Sequence, residues 1–166
     1  MSDTANGQQS PETPAGAAPQ AGGRPQLMRN DPFSQPAYTD SFYEAVGGHD
    51  TFVKLIDVFY DGVAGDPLLR PMYPEEDLGP AKRRFLMFLE QYWGGPTTYS
   101  QERGHPRLRM RHMPFRVTPE AKDRWLFHMR TAVDALELSP LHEGTLWDYM
   151  ERAALTMVNS PSPAQP

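Results

Sequence analysis

The sequence of 166 residues contains no cysteine. This absence excludes a disulfide framework, a thiolate nucleophile, a zinc site with cysteine ligands and an iron–sulfur cluster. It also fits a reducing compartment, so we expect a cytoplasmic protein. Long apolar runs are lacking too, since none approaches the roughly 18–20 residues that cross a bilayer, and the first residues lack the order of a secretory signal. The sequence therefore predicts no membrane span.

An excess of positive charge is also missing. Lys and Arg number 16 against 21 Asp and Glu, which gives a formal net charge of −5 at pH 7. General affinity for nucleic acid requires a net basic face that displaces counterions from phosphates. We therefore expect no nucleic-acid partner, although this balance leaves room for a local basic patch.

Residues 1–40 have little apolar content. They contain six prolines, five glutamines and four glycines but only two aromatic residues, Phe33 and Tyr38. Such a segment buries too little apolar surface to offset its chain entropy. We predict a disordered extension over residues 1–40, a folded domain over 41–160 and a short disordered tail over 161–166. The extension is either a passive solubilising segment or a strap that docks on the domain.

Between these ends, apolar residues recur at the three- and four-residue spacing of helices. The helices are predicted from Ser41 to Gly47-Gly48, from Asp50 as N-cap to Gly65, from Pro80 to Trp93, from Thr118 to Leu138, and from Ser139 to Asn159. Residues 97–111 are predicted to be a long irregular connection, because Gly104 and Pro106 interrupt any helix there. No segment alternates with period two, so the domain is predicted to be all-α.

The stretch from Gly104 to Phe115 is basic and carries two of the five histidines. His112 follows Arg111 and precedes apolar residues, so it has a cationic side and an apolar side. This setting suits a flat ligand that is apolar in the middle and anionic at one edge, such as haem. Nearby guanidinium groups are suited to bidentate carboxylate pairing, and they would bind haem propionates, bind an acidic protein surface or simply be solvated. These are Arg103, Arg107, Arg109, Arg111 and Arg116.

The other histidines are better explained as structural or surface residues. His49 and His142 stand at predicted helix starts and are interpreted as polar surface residues. His128 is interpreted as a partly buried structural residue. A zinc site at His105 and His112 is disfavoured, because a proline separates them and no third or fourth ligand is evident.

Five runs of sequence carry a more specific signal. They are Ser41-Phe42-Tyr43-Glu44-Ala45-Val46-Gly47-Gly48, the pair Phe59-Tyr60, Tyr73-Pro74-Glu75-Glu76-Asp77-Leu78, Phe88-Leu89-Glu90-Gln91-Tyr92-Trp93-Gly94-Gly95-Pro96, and Gly104 through Phe115. On these runs, the chain from about Ser41 to Pro161 resembles truncated haemoglobins of the second group, the actinobacterial kind. The resemblance implies a globin-like two-over-two helical sandwich around haem b.

The resemblance also implies roles for particular residues. His112 would be the proximal ligand to the haem iron, the role that histidine takes in globins. Tyr60, Tyr73 and Trp125 would form the distal pocket, with three hydrogen-bond donors around the bound diatomic ligand.

Further residues match positions that contact the haem itself. Arg84, Tyr99 and Arg111 would contact the propionates, whereas Ala81 and Phe85 would line the pocket from the distal helix. Phe85 departs from the Leu or Gln that the family pattern has at this position. Its bulk bears on pocket volume and ligand entry.

A function follows from this resemblance as an expectation. The chain would bind oxygen, nitric oxide, carbon monoxide or peroxide, and donors in a low-dielectric pocket would slow oxygen escape. Slow escape favours redox chemistry, either nitric oxide detoxification or peroxidase-like turnover, over oxygen transport. No Gly-x-Gly-x-x-Gly element for a flavin or nicotinamide is present, so an external electron donor is expected.

Other interpretations stay open at the level of sequence. The strongest alternative is a haem-free, globin-shaped interaction module that binds an acidic partner through residues 103–116. Nucleic-acid binding by the same arginines is a weaker one, given the acidic net charge. Exposed apolar helix faces would permit a homodimer, and the sequence does not decide whether the protein is an enzyme.

Overall fold

The computed structural model describes residues 41–163, so the predictions for residues 1–40 and for the last three residues lie outside the described part. Every regular element in this part is helical, which confirms the all-α prediction. The α-helices are α1 Ser41–Ala45, α2 Gly48–Ala64, α3 Gly79–Tyr92, α4 Thr98–Arg103, α5 Leu108–His112, α6 Pro119–Asp134 and α7 Pro140–Met157. A 3₁₀ turn at Arg70–Met72 lies between α2 and α3.

The four long helices pack as two pairs. α2 contacts α3, α6 contacts α7, and α2 and α6 join the pairs. α2 buries one stripe of residues at three- and four-residue spacing, namely Phe52, Leu55, Ile56, Phe59, Tyr60 and Val63. The second half of α3 is buried on several sides, since Met87, Phe88, Leu89 and Glu90 are all buried. No helix of residues 41–163 is long and apolar enough to cross a membrane.

The prediction that Asp50 caps α2 is wrong, because the helix begins at Gly48. Gly47 precedes it with φ of 110°, a left-handed conformation that glycine adopts without strain. A Cβ at Gly47 would also lie 2.4 Å from the Thr51 hydroxyl oxygen, which donates to the Val46 carbonyl. The glycine therefore permits a sharp turn between α1 and α2, and Asp50 falls inside the first turn of α2.

The end of α6 also differs from the prediction. The helix ends at Asp134 rather than at Leu138, and Glu137 has a left-handed φ of 51°. Leu136 and Leu138 still pack against the core from the turn that follows. Their burial explains why the apolar pattern continued beyond the helix itself.

Residues 97–111 are not one irregular connection, as predicted, because they contain α4 and most of α5. The glycine and proline that interrupt helix formation do lie between these two elements, and Gly104 has a positive φ of 70°. α4 and α5 have six and five residues, too short to show a helical period in the sequence.

Two histidines have contacts that the sequence did not indicate. His49 is at the surface as predicted, but its Nδ1 lies 2.6 Å from a carboxylate oxygen of the buried Glu90 and so joins the start of α2 to α3. The His142 ring packs edge-on against Phe42, with centroids 5.6 Å apart. Both histidines help to hold the helix ends together.

Candidate functional site

A single cavity between the helices is lined by all nine residues that the sequence analysis assigned to a site. They are Tyr60, Tyr73, Ala81, Arg84, Phe85, Tyr99, Arg111, His112 and Trp125. The cavity has a volume of about 490 Å³, within the roughly 300–1,000 Å³ of small-molecule and cofactor sites. Much of the remaining lining is apolar, with Leu69, Met72, Phe88, Val117 and Met150 among it. The site thus collects side chains from α2 through α7.

His112, the last residue of α5, has a ring orientation fixed by the turn before it. Its Nδ1 lies 2.7 Å from the Leu108 carbonyl oxygen. A carbonyl can only accept, so Nδ1 carries the proton of the neutral ring and the lone pair lies on Nε2. A histidine that binds a metal usually makes such a bond with its other nitrogen. The geometry therefore leaves Nε2 of His112 as a ready metal ligand.

The backbone around His112 is held by side-chain hydrogen bonds. Arg111 donates from Nε to the Pro106 carbonyl at 2.7 Å and from Nη2 to the Arg103 carbonyl at 3.1 Å. From beyond α7, the Asn159 amide donates to the carbonyls of His112 and Phe115, at 3.2 and 2.9 Å. Arg111, predicted to contact a propionate, therefore also closes the loop between α4 and α5.

Tyr60 and Tyr73 meet inside the cavity, with ring centroids 5.7 Å apart and planes at 75°. Burial raises the pKa of Tyr60, and the neighbouring Tyr73 raises it further. Burial also raises the pKa of Tyr73 to about 12, although the neighbouring Tyr60 lowers it. Both phenols are therefore protonated at neutral pH and can donate hydrogen bonds.

Trp125 on α6 completes an aromatic cluster with these tyrosines. Its ring lies 5.1 Å from Phe59 and 6.1 Å from Phe85, and Phe85 is in turn 6.4 Å from Tyr60. Within residues 41–163, the Trp125 indole N–H has no hydrogen-bond acceptor. Phe85 thus lies beside the tyrosine and tryptophan donors and lines the same cavity.

A buried carboxylate positions the elements that carry these donors. Asp66, just beyond α2, accepts from Nε2 of His128 at 2.6 Å and from Nε of Arg124 at 2.9 Å, both on α6. Burial alone would raise the pKa of Asp66, but these bonds and those from the Leu69 and Leu68 amides hold it well below its usual range. Arg124 and His128 flank Trp125 in sequence. Through these two residues, Asp66 fixes the position of Trp125 relative to the end of α2, the helix that carries Tyr60.

The contact between His128 and α2 is close. A Cβ at position 62 would lie 2.3 Å from Nδ1 of His128, so only glycine leaves room for the ring at Gly62. The prediction of a partly buried structural histidine at position 128 agrees with its Asp66 contact and a side chain only 11% exposed.

Arg84 is engaged by an acidic side chain at the edge of the cavity. Its Nη2 lies 2.5 Å from Oε1 of Glu75, and it holds the pKa of that carboxyl below the usual range. The other oxygen, Oε2, is buried without a partner among the described residues. Arg70 fixes the backbone here by donating to the carbonyls of Tyr73, Glu75 and Glu76. Arg84 is thus paired with a carboxylate at the site where a propionate contact was predicted.

Taken together, the donor set fits haem. The cavity offers one histidine with a free Nε2, an apolar lining for a macrocycle, and cationic groups for two propionates. The cations that line it are Arg84, Arg103, Arg111 and Lys122. No group of three or more His, Cys, Asp or Glu side chains that could hold a bare metal ion occurs in residues 41–163.

Three residues of the site were missed by the sequence analysis. Asp66 was noticed only as part of a helix stop, Glu75 only as part of a matching run, and Asn159 only as a helix end. Asp66 and Asn159 act on partners 42 to 62 positions away in sequence. A single sequence gives no signal for such distant pairs.

Comparison with known proteins points to one family. Residues 41–159 match the model of the family described as bacterial-like globin. The chain is 44% identical over 117 residues to group 2 truncated haemoglobin YjbI of Bacillus subtilis, covering 70% of this chain and 87% of that protein.

Solved structures agree with the sequence matches. A thermostable haemoglobin from the actinobacterium Thermobifida fusca is 63% identical, with a TM-score of 0.71 over 74% of this chain and 98% of the other. A structure described as truncated oxygen-avid haemoglobin from Bacillus subtilis is 43% identical, with a TM-score of 0.67 over 71% and 98%.

Proposed function

Because this chain belongs to the bacterial-like globin family, as a group 2 truncated haemoglobin with haem b as its cofactor, we propose that it uses the haem for redox chemistry on nitric oxide. The observation that carries the proposal is the cluster of Tyr60, Tyr73 and Trp125 in the cavity that His112 also lines. The family membership itself implies binding of gaseous ligands such as oxygen.

In this proposal, His112 holds the cofactor through Nε2. The hydrogen bond from Nδ1 to the Leu108 carbonyl keeps the ring in one orientation, with Nε2 free to bind iron. Arg84 and Arg111 contact the propionates, together with Tyr99 on α4. Ala81 and Phe85 shape the pocket from α3.

The three donors retain the ligand. Tyr60 and Tyr73 stay protonated at neutral pH because burial raises the pKa of both, and the Trp125 N–H is unused by the described residues. If each donor adds ~1–1.5 kcal/mol, two or three would slow ligand escape by roughly two or more powers of ten, at about 1.4 kcal/mol per tenfold. Such retention favours chemistry on the ligand over its delivery.

When bound, haem iron supplies the electron with which nitric oxide and dioxygen combine to nitrate, and it is left ferric. The chain's residues bind, orient and shield the reactants, and the apolar lining excludes water. An external one-electron donor must return the iron to the ferrous form.

One relative supports ligand retention. The Bacillus subtilis haemoglobin at 43% identity is described as oxygen-avid, and we extend that property to this chain on the strength of its three donors. Peroxide is an alternative oxidant at the same site, with the protonated phenols as donors to it. A cytoplasmic location and a homodimer stay predictions from sequence.

The direct test is to mix the reduced, oxygenated holoprotein with nitric oxide and to measure nitrate and the iron oxidation state. We expect about one nitrate per nitric oxide, with the iron converted to ferric faster than in free haem under the same conditions. Unreacted nitric oxide with the iron still ferrous would overturn the nitric oxide proposal.

A further inference from the structure

The segment that carries His112 has two sides. One side lines the haem cavity through Leu108, Arg111, His112 and Phe115. Residues between these are exposed to solvent, and we refer to them as the basic face. The basic face consists of Arg107, Arg109, Met110, Met113 and Arg116. The cavity and the basic face are therefore separated by a single layer of chain.

The charge of this segment is opposite to that of the rest of the protein. Residues 103–116 contain five arginines and no carboxylate, a formal charge of +5 in a chain whose net charge is −5, so the other residues together carry −10. A concentration of one sign on an otherwise acidic protein orients an approaching partner of the opposite sign.

Within the described residues, the arginines of the basic face form no ion pair, whereas three other exposed arginines do. Arg83, Arg124 and Arg152 contact the carboxylates of Glu102, Asp66 and Asp148, respectively. Within residues 41–163, no carboxylate lies within ion-pair distance of Arg107, Arg109 or Arg116. The basic face thus keeps three guanidinium groups available to an external carboxylate, and guanidinium pairs with carboxylate in a bidentate way.

Two methionines give the basic face an apolar part. Met110 is 61% exposed and Met113 72% exposed, among the most exposed large apolar side chains of the described residues. Methionine and arginine are both enriched in protein interfaces, and methionine adapts its shape to different partners. Such a mixture fits a protein surface better than a bare phosphate backbone.

We propose that the basic face is the docking site for the acidic surface of a one-electron donor protein that reduces the haem iron of this chain. The proposal rests on the redox function proposed above, which requires such a donor. The exposed arginines pair with carboxylates of the donor, and the methionines fill the centre of the contact.

The position of the basic face suits electron transfer. The donor loses one electron and ferric iron becomes ferrous, with no bond made and no proton moved. Because the opposite side of the same segment holds His112, a docked donor approaches the cofactor across one layer of chain. A polyanion such as nucleic acid is less favoured, since binding to phosphates does not use the two exposed methionines.

The test measures binding of a plant-type ferredoxin, chosen as a probe for its acidic surface and one-electron chemistry. The wild-type holoprotein is compared with Arg109→Glu/Arg116→Glu, neither residue of which lines the cavity. The matched control is Lys54→Glu/Arg152→Glu, which changes the net charge equally at exposed positions on α2 and α7. Helicity and the haem spectrum are checked in each variant.

We expect Arg109→Glu/Arg116→Glu to weaken ferredoxin binding at least about tenfold and to slow reduction of ferric iron by ferredoxin. The Lys54→Glu/Arg152→Glu control should stay within about twofold of wild type. Binding by the wild type should weaken as salt rises from about 0.01 to about 1 M, over which the Debye length falls from about 30 to about 3 Å.

Several results would overturn the proposal. They are no ferredoxin binding by the wild type at low salt, equal weakening in both charge variants, or binding that salt does not change. Stronger binding of the wild type to anionic vesicles or single-stranded DNA than to ferredoxin would also overturn it.

Failure of the redox function gives a different result. The iron is therefore also reduced chemically with dithionite, freed of excess reductant and oxygenated before nitric oxide is added. If no nitrate forms then, the proposed function fails whatever ferredoxin does. Binding of ferredoxin is measured without turnover, so it tests the docking site independently.

Discussion

The two sides of the haem cavity are held in place by different kinds of contact. On one side, α2 and α6 pack along their length, with Phe59 fully buried and Asp66 joining them through His128 and Arg124. On the other side, the segment from Thr97 to Val117 is built of two short helices. Its backbone carbonyls accept two hydrogen bonds from Arg111 and two from Asn159.

This difference indicates that the two sides have separate roles, one in positioning the hydrogen-bond donors and the other in holding the iron ligand. Helices packed over several turns place Tyr60 and Trp125 with little freedom, which suits donors that must be aimed at a small ligand. The segment around His112 has more exposed residues and fewer packed side chains, so its position depends more on its polar contacts and on the cofactor. Substitutions on the two sides should therefore have separable effects.

The largest expected effect comes from removing the iron ligand. His112→Ala should weaken haem binding by more than about 100-fold, because no other side chain of the segment presents a free imidazole nitrogen to the cavity. Helix content should change little, since the long helices α2 and α6 pack mainly on each other and on α3 and α7. Haem transfer to a scavenger protein measures the effect, with circular dichroism for helicity.

The matched control for this substitution is His105→Ala. His105 is exposed on the same segment and does not line the cavity. Equal haem loss in the two variants would show that the segment, rather than the His112 ring, is what holds the cofactor.

A second substitution removes a contact on the side of the cavity formed by α2 and α6. Asp66→Asn removes the charge that His128 and Arg124 share, and it should cost about 2–3 kcal/mol of unfolding free energy near neutral pH. The pKa of Asp66 is lowered in the folded protein, so its contribution is present above the unfolded pKa of about 3.9 and is lost as pH falls below it.

The difference in stability between wild type and Asp66→Asn should therefore shrink between neutral pH and about pH 3. Urea unfolding at both pH values, followed by helicity, measures it. Asp148→Asn is the control, since its exposed pair with Arg152 should change stability by less than about 0.5 kcal/mol. A difference that does not depend on pH would contradict the ionised Asp66.

A third substitution separates donor chemistry from packing. Trp125→Phe keeps an aromatic ring but removes the N–H, so oxygen should dissociate about tenfold faster, equivalent to roughly 1.4 kcal/mol. Stopped-flow displacement of oxygen by carbon monoxide gives the rate. Trp147→Phe, at a tryptophan that stacks on Arg130 and does not line the cavity, should leave the rate unchanged.

The smallest expected effect comes from removing hydrogen bonds that hold the backbone of the His112 segment. Asn159→Ala removes the bonds to the His112 and Phe115 carbonyls, and it should lower stability by about 1–1.5 kcal/mol. It should also speed haem loss while leaving oxygen dissociation unchanged. Ser160→Ala is the control. Among the described residues, the Ser160 hydroxyl donates only to Oδ1 of Asn159 and its backbone N–H donates to the Val117 carbonyl, so the bonds to the His112 and Phe115 carbonyls are kept. Faster oxygen dissociation in Asn159→Ala would show that the two sides of the cavity are coupled.

The difference between the long packed helices and the short helices around His112 also explains which elements could be predicted from the sequence. The long helices were predicted with ends within a few residues, because their buried stripes repeat over several turns and Thr118 and Ser139 cap α6 and α7. Asp50 and Leu138 were misplaced because a left-handed glycine and a left-handed Glu137 set the true ends. α4 and α5 were missed because each is shorter than two helical periods.

The site depended on a different kind of information. The roles predicted for His112 and the other eight residues came from a resemblance to a family, and the comparisons confirm membership of that family. Periodicity alone left several interpretations of the basic stretch open. Asp66, Glu75 and Asn159 could not be found in advance. Their partners are brought to them by the packing of distant helices or by the fold of the loop after α2.

The most direct test of the account is the visible absorption spectrum of the purified chain after haem addition, taken ferric, then reduced, then under carbon monoxide. A ligand-binding haem held by His112 predicts a sharp Soret band that shifts on reduction and shifts again with carbon monoxide. A spectrum identical to that of free haem in all three states would contradict it.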